Sequence, residues 1–239
     1  IELDVHLTPD NLFAVFHDWT VDCRTDGQGV TDQIPFSVLR SLDVGYGYSV
    51  DGKTFPLRGT GVGLMPSLSE VLAANLGAKY LINFKSKNPL EGMRLAEMFD
   101  DPANANQIWG VYGGEIPTQE ALARSSGLRG FDRGSLKSCL MSDLALGWSG
   151  YVPATCRDGL VAVPLDYAPY LWGWPHKFTQ RMNAAGSDVI LWGPYDGSGF
   201  SRGVDDAETW ARVPTQFGGY VWTNKIEVIG LLAETRNRS

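Results

Sequence analysis

Two carboxylates stand one strand repeat apart at the start of the chain, in Ile1-Glu2-Leu3-Asp4-Val5-His6-Leu7-Thr8. Apolar and polar residues alternate there without a break. Period two puts Ile1, Leu3, Val5 and Leu7 on one face of a strand and Glu2, Asp4 and His6 on the other. Such polar faces are often just the wet side of a sheet. Carboxylates this close, however, repel unless positive charge lies between them. A hard divalent cation, Mg²⁺ or Ca²⁺, prefers oxygen ligands and answers that need; a basic side chain would serve as well. Pro9-Asp10-Asn11 is turn chemistry, and the β-rich run after it stops at His17-Asp18. A histidine, whose ordinary pKa lies near neutrality, is suited to proton transfer. Neighbouring strand residues face opposite ways, so Asp18 is expected as structural support and His6 as a packed interior histidine. Further on, Asn83 and Lys85 sit one repeat apart in Lys79–Lys85 and face the same way. Most aromatics belong to the core. Trp222, before Thr223-Asn224, is the one best placed to form the apolar wall of a site.

These residues need a frame, and the chain supplies one by alternation. After the opening hairpin, Ile34–Leu42 reads as a short helix and 43–63 as an irregular insertion rich in Gly, Tyr and basic residues. Loops of that length inside a domain usually carry function or disorder. Ser67 with Glu70 three later is a capping box that opens a helix. Strands are then expected at 79–85, 107–112, 128–132, 160–165, 188–192 and 220–223. Helices between them start near Asn88-Pro89, Pro117, Ser135, Pro175 and Asp206, and Asn224 caps a last one. Strand–helix alternation implies an α/β fold with a parallel sheet. Seven such units suit either a doubly wound sheet or a barrel. The polar and aromatic strand ends favour the barrel.

Composition narrows the class. The 239 residues, 44% hydrophobic, are enough for one α/β domain, and 13 Pro and 28 Gly are scattered rather than gathered into a linker, so 1–239 reads as a single domain. A net charge of −7 argues against a nucleic-acid partner but not against an anionic substrate held through a metal. No stretch is long and apolar enough for stable membrane insertion. Cys139 and Cys156 flank a short loop and pair in an oxidising compartment; otherwise the three cysteines are ordinary thiols. A periplasmic or secreted location is expected over a cytoplasmic one. Oligomeric state is not legible.

The order of motifs says more than their spacing. Glu-x-Asp-Val at 2–5, then Thr8, Asp10, Val15 and His17-Asp18, resemble the glycerophosphodiester phosphodiesterase family. Arg24-Thr25-Asp26-Gly27-Gln28-Gly29-Val30-Thr31-Asp32 and Met65-Pro66-Ser67-Leu68-Ser69-Glu70-Val71-Leu72 continue the likeness in the right order over the first third of the chain. The resemblance implies an eight-stranded (β/α) TIM barrel. The family's first strand, with its His-Arg-Gly motif, has no counterpart here, so the native polypeptide is expected to extend upstream of Ile1, with open edges on the strands at 1–7 and 220–223.

The resemblance also implies roles: Glu2 and Asp4 as metal ligands, His17 as general acid or base, and Lys85 as the lysine that neutralises a phosphate. Asn83 stands where the family has a carboxylate that completes the metal site. An amide oxygen can still bind a hard cation, with weaker affinity expected. The implied activity is metal-dependent hydrolysis of a small glycerophosphodiester to glycerol phosphate and an alcohol, with Trp222 against the glycerol or alcohol group. The alternatives are a phospholipase-D-like enzyme on lysolipids or sphingolipids, and a catalytically silent binding protein on the same barrel.

Overall fold

The computed structural model describes the chain except for residues 75, 196, 198–201, 238 and 239. It divides into two compact units, Ile1–Asp132 and Arg133–Ser239, both α/β.

The first unit runs β1 (Glu2–Leu7), β2 (Phe13–Val15), α1 (Phe36–Ser41), α2 (Leu68–Ala73), β3 (Tyr80–Phe84), α3 (Pro89–Phe99), α4 (Pro102–Ala105), β4 (Ile108–Gly113) and α5 (Glu115–Arg124). Local chemistry sets several boundaries. Ser67 and Glu70 form both halves of the expected capping box at α2. Asn88 caps α3, with Pro89 in the first turn, where its missing N–H costs nothing. The strands lie in the order β2-β1-β3-β4; β1 is antiparallel to β2 and parallel to β3, which is parallel to β4. Val5, Leu7, Ile82, Phe84 and Val111 form one apolar face. They pack with Leu68 and Leu72 of α2, Leu95 of α3 and Ala121 of α5. The register sets Asp4 beside Asn83, and Asn83 beside Tyr112, on the opposite face.

Residues 43–63 hold neither helix nor strand. Asp43 organises them: its carboxylate accepts the N–H groups of Gly45 and Gly61, each at 3.0 Å, and of Gly59 at 2.6 Å. The strand expected at 128–132 is a single bridge, Val111 to Gly130. A side chain at Gly130 would collide with the Val111 carbonyl, so only glycine permits even that contact.

The second unit runs α6 (Arg133–Leu146), β5 (Leu160–Pro164), α7 (His176–Ala184), β6 (Asp188–Trp192), α8 (Ala207–Ala211), β7 (Tyr220–Val221) and α9 (Ile226–Asn237). Its strands are parallel in the order β5-β6-β7. Val161, Val163, Val189 and Leu191 pack against Phe178, Met182 and Ile229. Asp206 caps α8 as expected, and the helix ends at Ala211, before Pro214. Pro214 has no N–H with which to continue it. Cys139 and Cys156 form a disulfide from α6 to the turn at Ala154–Cys156, while Cys23 is free and exposed.

Candidate active site

The face of the first sheet turned away from the helices is polar. Glu2 and Asp4 come from β1, Asn83 from β3, Lys85 from just past the end of β3, and Tyr112 from β4. Asp4 Oδ1 accepts a hydrogen bond from Asn83 Nδ2 at 2.8 Å and pairs with Lys85 Nζ at 3.3 Å. The Asp4 and Lys85 side chains are only 14% and 12% exposed, so solvent screens this pair weakly. The Tyr112 hydroxyl donates to Glu2 Oε1 at 2.9 Å. Burial, reinforced by the Asp4 charge, pushes the Glu2 carboxyl up to about 7; hydrogen bonds from Tyr112 and Asn83 and the Lys85 charge oppose that rise. Burial and the Glu2 charge push the Tyr112 phenol well above its usual range, so it remains a donor. Its ring stacks on Phe131 with centroids 5.3 Å apart. Sequence reasoning missed Tyr112. Period two assigns it a face of β4, but nothing local says that β3, with Asn83, lies alongside.

Glu2, Asp4 and His17 line one cleft of about 340 Å³, together with Val15, Phe16 and Tyr48 among others. The His17 side chain is 66% exposed, as a group that meets a substrate must be. Asp18 is more than passive support: its Oδ1 meets His17 Nδ1 at 2.6 Å, and its Oδ2 accepts from Arg24 Nε at 3.2 Å. Partial burial raises the Asp18 carboxyl, but the His17 and Arg24 contacts outweigh it and hold the group below its usual range. Asp18 therefore stays ionised and fixes the imidazole by one nitrogen, leaving Nε2 to act. His6 is fully buried, edge-on to Trp19. Burial, then Lys85, pushes it down to about 4, so it is the neutral packed histidine expected. Trp222 follows β7 in the second unit, edge-on to Trp192 with centroids 5.8 Å apart.

The donor chemistry fits a hard divalent cation in one respect and departs from the expected ligand set in another. Glu2 and Asp4 offer carboxylate oxygens on one face of the cleft. Asn83, expected to add an amide oxygen, instead turns its nitrogen to Asp4. An oxygen aimed at two carboxylates would be repelled. The amide oxygen lies against Gly113, whose φ of +101° and missing Cβ make the room. Among the described residues no group of three or more His, Cys, Asp or Glu could hold a metal.

The glycerophosphoryl diester phosphodiesterase family model matches residues 1–139, more than half of the chain. The chain belongs to that family. A glycerophosphodiester phosphodiesterase of Caldanaerobacter subterraneus is 32% identical over 90 residues, 37% of this chain and 33% of that protein. The chain thus matches about a third of the length of that curated relative. The glycerophosphoryl diester phosphodiesterase domain of a Mycobacterium tuberculosis protein superposes with a TM-score of 0.67 at 13% identity, covering 100% of this chain and 87% of that one. An Oleispira antarctica phosphodiesterase, solved with the product sn-glycerol-3-phosphate, gives 0.61 at 16% identity, covering 100% and 84%. At these identities the likeness shows the fold. The family generally uses a divalent cation.

Proposed function

We propose that the chain hydrolyses glycerophosphodiesters to glycerol phosphate and an alcohol. The carrying observation is the convergence of His17, held by Asp18, with the Glu2–Asp4 pair on one cleft. Water attacks phosphorus, the bond from phosphorus to the leaving alcohol's oxygen breaks, His17 Nε2 gives that oxygen its proton, and the proton shed by the attacking water restores His17 through solvent. Lys85, already paired with Asp4, adds positive charge for the phosphoryl oxygens. Glu2 and Asp4 would hold the divalent cation, Mg²⁺ or Ca²⁺, which when bound polarises the phosphate. The substrate's anionic phosphate thus meets positive charge despite the chain's net −7. Trp222 is the proposed wall for the glycerol or alcohol group. The product held by the Oleispira relative is the one this reading requires. The finer architecture we propose is the eight-stranded (β/α) barrel, with 1–239 as one domain, supported by the fold likeness to solved family members. The Cys139–Cys156 disulfide supports an oxidising, extracytoplasmic location.

A second reading, a phospholipase-D-like action on lysolipids, draws support from Tyr46, Tyr48 and Val50, exposed in the insertion, with Tyr48 at the cleft. Turnover of glycerophosphocholine, glycerophosphoglycerol and lysophosphatidylcholine, each with and without Mg²⁺ or Ca²⁺, separates the readings. Release of glycerol phosphate from the first two supports the proposal. Turnover of the lysolipid alone supports the second. Binding of all three with turnover of none supports a silent binding protein on the same fold.

A further inference from the structure

The Glu2–Asp4 pair has its complement built in. Three protein donors converge on it: the Asn83 amide and Lys85 on Asp4, and Tyr112 on Glu2. A cation that bridges the pair must take the space that Nδ2 now fills, 2.8 Å from Asp4 Oδ1. It must also break charge-assisted hydrogen bonds, which are stronger than neutral ones. Turning the amide so that its oxygen faces the cation would send the NH₂ group against the Gly113 backbone, where the oxygen is now packed. Lys85 adds to the competition as a fixed positive charge at the same carboxylate oxygen, screened by little solvent.

We infer that Asn83 is a competitor of the divalent cation rather than one of its ligands, and that it sets the cation affinity of this site low. The site then loads only where the free cation is abundant, in the millimolar range typical of extracellular calcium modules rather than that of tight intracellular ones. The inference rests on Glu2 and Asp4 being the cation's ligands, and the experiment separates the two claims.

Calcium binding to the purified chain is measured by isothermal titration calorimetry, and by Ca²⁺-induced change in melting temperature, for the wild type, Asn83→Ala, Asn83→Ser, Lys85→Met and Glu2→Gln. If Asn83 competes, Asn83→Ala binds Ca²⁺ more tightly than the wild type, by about tenfold for the loss of one hydrogen bond to a charged group. Asn83→Ser, which keeps a small polar side chain should alanine fail to fold, and Lys85→Met move in the same direction. Glu2→Gln removes binding. Weaker binding in both Asn83 variants makes the amide a ligand and overturns the inference, while the cation reading stands. Binding that survives Glu2→Gln unchanged, or no binding by any variant, overturns both.

Discussion

The two sheets follow one plan and carry opposite chemistry on the faces turned from their helices. In β1-β3-β4 that face presents Glu2, Asp4, Asn83 and Tyr112, with Lys85 following. In β5-β6-β7 the matching positions are Leu160, Ala162, Ile190 and Trp192, and the only charge among them, Asp188, stands where β6 begins. The helix-facing sides are alike, built of valine, leucine, isoleucine and phenylalanine, with Tyr80 of β3 the one tyrosine of the first cluster. Parallel strands buried on both sides normally read as apolar throughout. The second sheet obeys that rule and the first breaks it, which is where function is expected to conflict with folding. The charged face must satisfy its groups with donors from neighbouring strands, so its stability is tied to pH. The apolar face needs none, and the covalent crosslink of its unit lies in the core on the helix side of the sheet.

The largest effect should fall on the first unit and on chemistry alone. His17→Ala is expected to slow hydrolysis of glycerophosphocholine by about 10²- to 10⁴-fold. A nitrophenyl diester, whose leaving group needs no proton, should lose far less. Equal losses on both substrates would assign His17 to binding instead of proton transfer. The melting temperature should stay unchanged, since the side chain is mostly in solvent.

The second unit should show the reverse, a stability effect with chemistry preserved. The Cys139–Cys156 bridge spans 17 positions. A loop of that size is worth about 3 kcal/mol through the unfolded chain. Cys139→Ser with Cys156→Ser should lower the melting temperature by several degrees in a scan, with turnover at 20 °C (about room temperature) retained. An unmoved transition would mean that the bridge adds nothing to this unit. A smaller effect is expected at Trp222. Its replacement by alanine should raise KM by up to about tenfold, the scale of one lost apolar contact in a pocket, with kcat kept. A fall in kcat at constant KM would remove Trp222 from substrate binding.

The difference between the sheets also explains what the sequence displayed. Glu2, Asp4 and His17 were legible because period two and the order of motifs are local properties, and β1, β3 and β6 lie where alternation put them. Tyr112 was not, because its role comes from the register between β3 and β4, which only the packed sheet defines. Asn83 was legible as a site residue but not in its orientation, which depends on two carboxylates and on the room left by Gly113. The 128–132 strand looked apolar enough to pair, but its backbone meets Val111 so closely that only glycine fits at 130, and a single bridge results. Helix α8 stops at Ala211, ahead of Pro214, where the run from Asp206 to Phe217 is interrupted because proline has no N–H to continue the hydrogen bonding.

The smallest effect probes the pH linkage of the first unit at a residue outside the cleft. Glu91 on α3 is 1% exposed, and its Oε1 accepts the Leu7 N–H at the end of β1 at 3.4 Å. Burial pushes this carboxyl from its ordinary 4.5 up to about 7, against opposing hydrogen bonds from Ser86 and Leu7. Between those two values the folded chain holds a proton that the unfolded chain has lost. Stability therefore falls as pH rises through that window and levels off on either side. Glutamine at this position keeps an oxygen for Leu7 and never ionises. Glu91→Gln should melt with the wild type at about pH 4, below the unfolded value, and above it by about 2–4 °C at pH 8 for each 1 kcal/mol recovered. Part of the slope should survive the substitution, because Glu2 is raised to about 7 and acts with the same sign. A variant less stable than the wild type at pH 8, or one with the full wild-type slope, would mean that the charged Glu91 is well accommodated. The pH dependence would then belong to the active-site face alone.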